Sequence, residues 1–165
     1  MTDWSEHVNK EVLLDYGTRL VGGFSEPFYK APAGHAMAEV QFTRDYERSA
    51  LHELAHWCIA GDERRRLDDY GYWYKPDGRT DEQQARFFAV EAKPQALEKY
   101  FCHALNVSFD VSVDNLGNTG VDGIDEFKAD VDRQFDRYAA TGLPARAAVI
   151  FDCLYLWRQI QGGTV

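Results

Sequence analysis

RDYERSALHELAHWCIA, residues 44–60, reads as one helix from end to end. Thr43 can cap it, Asp45 and Glu47 suit its positive end, and Gly61 can stop it. Ala50, Leu51, Leu54, Ala55, Trp57, Cys58 and Ile59 make it apolar on more than one face, so it should be buried. Within it, His52-Glu53-Leu54-Ala55-His56 places two imidazoles four residues apart, about 5–6 Å at Cβ on a helix. Rings at that spacing can converge on one ion, each giving a neutral nitrogen to a first-row metal such as zinc or iron. At this chain's His and Glu frequencies the pentapeptide arises by chance in roughly one chain in a hundred. Two histidines in so apolar a setting need partners, and a metal satisfies both.

Upstream, Val40 and Phe42 alternate with Glu39, Gln41 and Thr43, which predicts a short strand over Glu39–Thr43. Pro27, Pro32 and Gly34 make the stretch before it irregular, with a short strand around Arg19–Val21. Asp3 and Glu6 have capping-box spacing, and Val8, Val12, Tyr16 and Leu20 recur every four residues, so a helix is expected from Asp3 to about Tyr16.

Downstream, Glu63–Tyr70 is charged and suits one or two helical turns. Tyr70-Gly-Tyr-Trp-Tyr-Lys-Pro-Asp-Gly-Arg79 combines aromatics with a turn signal. Thr80 and Gln83 form a capping box opening a helix to about Ala92. Pro94 should kink or restart that helix, because its ring clashes with the Val90 carbonyl, before it continues to about Ala104. Val107–Val113 alternates like a strand. Ile124, Phe127, Val131, Phe135 and Tyr138 trace a helix up to Gly142, and Pro144 opens a last one to about Gln161. The expected fold is α+β: a mainly helical single domain spanning residues 1–165, with a few short strands and the HExxH helix at a metal site.

The bulk composition agrees with a globular protein. The chain has 165 residues, 45% hydrophobic, 14% aromatic and 27% charged. Its net charge of -9 argues against direct nucleic-acid binding, which rests on basic surface. Cys58, Cys102 and Cys153 are too widely spaced for a disulfide framework or a cysteine zinc site. Met1–Asn9 lacks the apolar run of a signal peptide, and no segment approaches a membrane span, so a reducing cytoplasm is expected.

Two histidines hold an ion incompletely. His7, His35 and His103 are scattered, so the third ligand should be a carboxylate downstream. Glu91, at the end of the apolar run Phe87, Phe88 and Val90, is one candidate, and Glu98 is its rival. Glu53 would be the general base in a zinc peptidase, but in a redox enzyme it would only orient ligands or water. The residues leave both roles open.

Leu51-His-Glu-Leu-Ala-His-Trp-Cys-Ile-Ala-Gly61, the aromatic stretch Tyr70–Arg79 and Val90-Glu-Ala-Lys-Pro-Gln-Ala-Leu97, in this order, resemble bacterial elongation factor P hydroxylases. Val111-Ser-Val-Asp-Asn-Leu116 and Gly142-Leu-Pro144 extend the resemblance, which covers about Pro27 to Pro144. It implies hydroxylation of the elongation factor P lysine that already carries a β-lysyl group. It also implies a metal held by two histidines and a carboxylate, which fall here on His52, His56 and Glu91. Such chemistry needs a redox metal, so Fe(II) with O2 is expected and zinc is the alternative. No second motif specifies 2-oxoglutarate.

Tyr72, Trp73, Tyr74, Asp77 and Arg79 would shape the substrate entrance, with Asp77 meeting the cationic lysyl extension. Asp114 and Asn115 carry a weaker version of the same idea, and Arg64, Arg65 and Arg66 read as a solvated face. Two other functions fit the motif alone: an HExxH zinc-dependent hydrolase, and a metal-stabilised binding protein without catalysis.

Overall fold

The computed structural model describes residues 3–71, 79–112 and 123–162. The chain opens with helix α1, Asp3–Glu11, and a 3-10 turn at Leu13–Tyr16. Trp4, Val8 and Val12 recur every four residues and are buried together. The Trp4 indole donates to Glu47 Oε1 at 2.8 Å, and Asn9 brackets Leu20 through both backbone groups at 2.7 and 2.9 Å. These bonds fix α1 against the next two layers. The helix expected to reach Tyr16 thus ends at Glu11, and Gly17 at φ 60° turns the chain into the sheet.

Three strands follow: β1, Thr18–Phe24; β2, Phe28–Lys30; and β3, Ala38–Thr43. Their order is β1-β3-β2, with β1 parallel and β2 antiparallel to the central β3. Ala38, Val40 and Phe42 of β3 point inward, as the alternation predicts. β2 was not expected, since Pro27 and Pro32 flank it; it occupies a sheet edge, where such flanks are tolerated. Gly22 must be glycine, because a Cβ there would lie 2.6 Å from Phe42 Cζ and 2.7 Å from the Arg44 carbonyl.

Helix α2 spans Glu47–Ile59, three residues later than expected at its start. Arg44 extends the sheet instead: its N–H donates to Phe24 O at 2.8 Å and its carbonyl accepts from Gly23 at 2.7 Å. Its φ of 48° is incompatible with a helix running through it. Thr43 therefore does not cap α2; its own N–H donates to Ser49 Oγ at 3.1 Å. Ala50, Leu51, Leu54, Ala55, Trp57 and Cys58 are buried because α2 packs on β3 and also on the next long helix.

That helix, α3, runs unbroken from Asp81 to Leu105 behind the expected capping box: Gln83 N–H donates to Thr80 Oγ1 at 3.2 Å, and Thr80 N–H to Gln83 Oε1 at 2.9 Å. Pro94 lies inside it and does not end it. The missing hydrogen bond and ring clash cost ~3 kcal/mol or more. Burial of the next four side chains, Gln95 to Glu98, offsets that.

The strand expected at Val107–Val113 is absent from its described part, residues 107–112. Those backbone groups are claimed by side chains. Gln95 pairs with both groups of Ser112, at 2.7 and 3.0 Å, and Arg48 donates to the carbonyls of Ser108 and Asp110 at 3.3 and 2.7 Å. Helices α4, Ile124–Thr141, and α5, Ala145–Gly162, complete the fold. α4 buries Phe127 and Val131 against Ala96 and Phe88, and α5 adds Ala147, Ile150, Cys153 and Leu154 to the main core. The result is a mainly helical α+β fold, and its cysteines are free and buried. Among the described residues no single helix is long and apolar enough to cross a membrane.

Candidate metal centre

The α2–α3 contact brings two imidazoles and one carboxylate to one point. His52 and His56 share a face of α2 because they are four residues apart. Glu91, Gln95 and Glu98 share a face of α3 at the spacing i, i+4, i+7. His56 Nε2 lies 3.1 Å from His52 Nε2 and 3.0 Å from Glu91 Oε1, and His52 Nε2 lies 3.6 Å from Glu91 Oε2. With metal–ligand bonds of about 2.1 Å, neighbouring ligand atoms sit about 3.0 Å apart in an octahedron and about 3.4 Å apart in a tetrahedron. His52, His56 and Glu91 therefore form a group that could hold a metal ion.

The charges fit as well. Burial disfavours a proton on His52, but the carboxylates of Glu91, Glu98 and Glu53 outweigh it and push its pKa up to about 10. Burial would raise the Glu91 carboxyl, yet His56 and His52 hold it down at about 2. Three carboxylates thus crowd two imidazoles, with Arg48 as the nearby fixed cation. Once both imidazoles are neutral ligands, Glu53, Glu91 and Glu98 against Arg48 leave two negative charges, which suits a divalent ion.

Glu98 is not a member of the ligand group. Its Oε1 lies 2.7 Å from His52 Nδ1, and its Oε2 accepts from Arg48 Nε at 2.8 Å and from Arg48 Nη2. A carboxylate at Nδ1 accepts that proton and leaves the Nε2 lone pair facing His56 and Glu91. Gln95 Nε2 donates to Glu91 Oε2 at 3.3 Å. Tyr70 is buried beside His56, with ring centroids 6.4 Å apart, and stacks on Tyr29 at 4.2 Å. Sequence reading missed Arg48, Gln95 and Tyr70 as parts of this centre. Arg48 precedes His52 by four residues and Gln95 follows Glu91 by four, so helical spacing could have found both.

The centre is closed on one side and open on the other. His56 and Glu91 are buried, whereas the His52 side chain is 19% exposed. Glu53 is half-buried. Burial pushes its carboxyl up, against the pull of His52 and His56, and the carboxylates of Glu91 and Asp69 push it further. Of the expected entrance residues, Tyr72, Trp73, Tyr74 and Asp77 lie outside the described residues, as do Asp114 and Asn115. Arg79 is buried, with its guanidinium 3.8 Å from the Phe87 ring centroid and its Nη1 donating to Gln84 at 3.4 Å. Phe87 precedes Glu91 by one helical turn. The ends of the aromatic stretch are thus tied to both helices of the centre, through Tyr70 beside His56 on α2 and Arg79 over Phe87 on α3.

Known proteins resemble this chain along most of its length. The chain is 48% identical over 139 residues to a protein of Haemophilus influenzae named elongation factor P lysine hydroxylase, covering 82% of this chain and 76% of that one. Residues 8–161 match the family described as elongation factor P hydroxylase. That span takes in α2, α3 and every residue of the His–His–Glu group, so the chain belongs to the elongation factor P hydroxylase family.

Proposed function

We propose that the chain hydroxylates the β-lysylated lysine of elongation factor P, using Fe(II) held by His52, His56 and Glu91 and O2 as oxidant. The observation that carries this reading is the convergence of those three side chains on one point, in a member of this family. Two imidazoles and one carboxylate are the donor set of non-haem ferrous oxygenases, and they leave positions open. Ferrous iron bound there supplies, with dioxygen, the oxidising power to replace an unactivated C–H bond by C–OH. One oxygen atom would enter the lysine chain, and the other would leave as water on taking two electrons and two protons from a co-reductant.

The chain's own residues do the rest. Glu98, backed by Arg48, fixes the tautomer and ring orientation of His52. Gln95 steadies Glu91. Burial of His56 and Glu91 limits water on the closed side, so substrate approaches past His52 and Glu53. Glu53 lies beside that approach, where its carboxylate can orient water or the cationic substrate chain. Tyr72, Tyr74, Asp77 and Arg79 shape the entrance: Asp77 meets the ammonium, the tyrosines cover the aliphatic stem, and Arg79 anchors the end of the stretch against Phe87. The protein acts in the cytoplasm, where its substrate is.

Intact-mass analysis of β-lysylated elongation factor P tests the reading. With this protein, ferrous iron and air, the factor should gain the mass of one oxygen atom. His52→Ala or His56→Ala should abolish the gain. No gain with wild-type protein under these conditions would sink the proposal.

A further inference from the structure

A second concave site lies away from the three metal-ligating side chains. It is a cleft of about 470 Å³ between the start of the sheet, the C-terminal end of α2 and the start of α5, and none of His52, His56 or Glu91 lines it. Its volume falls within the roughly 300–1,000 Å³ of small-ligand pockets. Three guanidiniums line it, those of Arg65, Arg66 and Arg146, in a chain whose acids outnumber its bases by 27 to 18.

Arg65 is committed. It donates to the carbonyls of Trp57 and Ala60 at the end of α2, and to Asp62, the acid on the cleft wall, at 3.3 Å. Arg146 is not. Among the described residues it has no ion pair and no side-chain hydrogen bond; it lies 4.3 Å from the Tyr16 ring centroid and 4.5 Å from that of Trp57. A guanidinium carries five N–H donors, and those of half-buried Arg146 are left for solvent or a ligand to accept. Burial and the nearby Arg65 weaken its hold on its proton more than the Asp62 carboxylate restores it, as expected where like charges crowd. Arg146 also sits in the first turn of α5, the positive end of an 18-residue helix. Arg66 is exposed, and none of its guanidinium N–H groups is matched by a carboxylate among the described residues.

We propose that this cleft is a binding site for a small organic anion, a carboxylate or a phosphate ester, gripped by Arg146 and attracted by Arg65 and Arg66. The exposed ring of Tyr16 forms the aromatic wall for its carbon part. The cleft lies behind the metal centre: Tyr29 lines it, and Tyr29 stacks on Tyr70, which lies on His56.

The test is calorimetric titration of the full chain with inorganic phosphate and, separately, with succinate, at ionic strength held constant with chloride. His52→Ala serves as the metal-centre control. Saturable binding is expected in wild-type and His52→Ala alike, weakened about tenfold or more by Arg146→Gln, which removes a charge-assisted donor fork. Binding of phosphate alone assigns a phosphate ester, and binding of succinate alone a carboxylate. Should Arg146→Gln fail to fold, Arg66→Gln on the exposed turn must still weaken binding about two- to fivefold by removing a nearby charge. Lack of saturable binding for both probes, or affinities that neither arginine variant changes, overturns the proposal.

Discussion

Glu98→Gln isolates what the hydrogen bond behind His52 contributes. The substitution keeps volume and removes one negative charge from a side chain that is 2% exposed. His52 Nδ1, now 2.7 Å from a carboxylate oxygen, would face an amide that can present either oxygen or nitrogen. Arg48 would lose its anionic partner and keep the Ser108 and Asp110 carbonyls. Loss of such a supporting contact weakens metal affinity about 10–100-fold, or roughly 1.4–2.7 kcal/mol. Glu91→Ala removes a ligand outright and must cost more. Competition of each variant against a chromophoric chelator, with Zn(II) and with Fe(II) under anaerobic conditions, gives the affinities directly. If Glu98→Gln binds metal as tightly as wild type, Glu98 does not orient His52. If it binds more weakly than Glu91→Ala, then Glu98 is the third ligand and the assignment of Glu91 fails.

Three further outcomes follow from the geometry. In metal-free protein the raised His52 pKa stabilises the fold fully below 6.5, and that contribution is lost as pH climbs toward about 10; the lowered Glu91 pKa contributes fully above 4.5 and is lost as pH falls toward about 2. The two together are greatest between pH 4.5 and 6.5. Because metal displaces the His52 proton, the gain in Tm on adding Zn(II) should widen as pH rises above 6.5, and a gain that narrows would contradict the charge assignment. Glu53→Gln removes no ligand, so it should keep metal occupancy and slow hydroxylation without abolishing it; full loss of turnover, together with zinc in the native protein, would favour the hydrolase chemistry. Gly22→Ala forces a Cβ to within 2.6 Å of Phe42 and should destabilise by about 1–3 kcal/mol in urea unfolding, with an unchanged midpoint speaking against the tight β1–β3 packing.

The elements that sequence reading located best are those with periodic apolar faces. α2, the Thr80 capping box, α4 and α5 all announce themselves through side chains that pack where their spacing puts them. The errors have a common physical origin. Arg44, Pro94 and residues 107–112 are places where long-range contacts override local preference. Arg44 is drawn into the sheet by Gly23 and Phe24, Pro94 is held in a helix by its buried neighbours, and residues 107–112 have their backbone groups taken by Arg48 and Gln95. At the site, the histidine pair was readable because both members lie on one helical turn. The choice between Glu91 and Glu98 was not, since both lie on the same α3 face. Only the position of α2 against that face decides which oxygen meets Nε2 and which meets Nδ1.

The metal ligands sit far apart along the chain, with His56 and Glu91 separated by 35 positions. Coordination across them would act as a removable clip on that loop, worth about 4 kcal/mol if it constrains the unfolded chain as a cross-link does. A protease nick inside the loop would then leave two fragments, held by the α2–α3 and α1–α5 packing, whose association is tighter while metal is bound than after chelation.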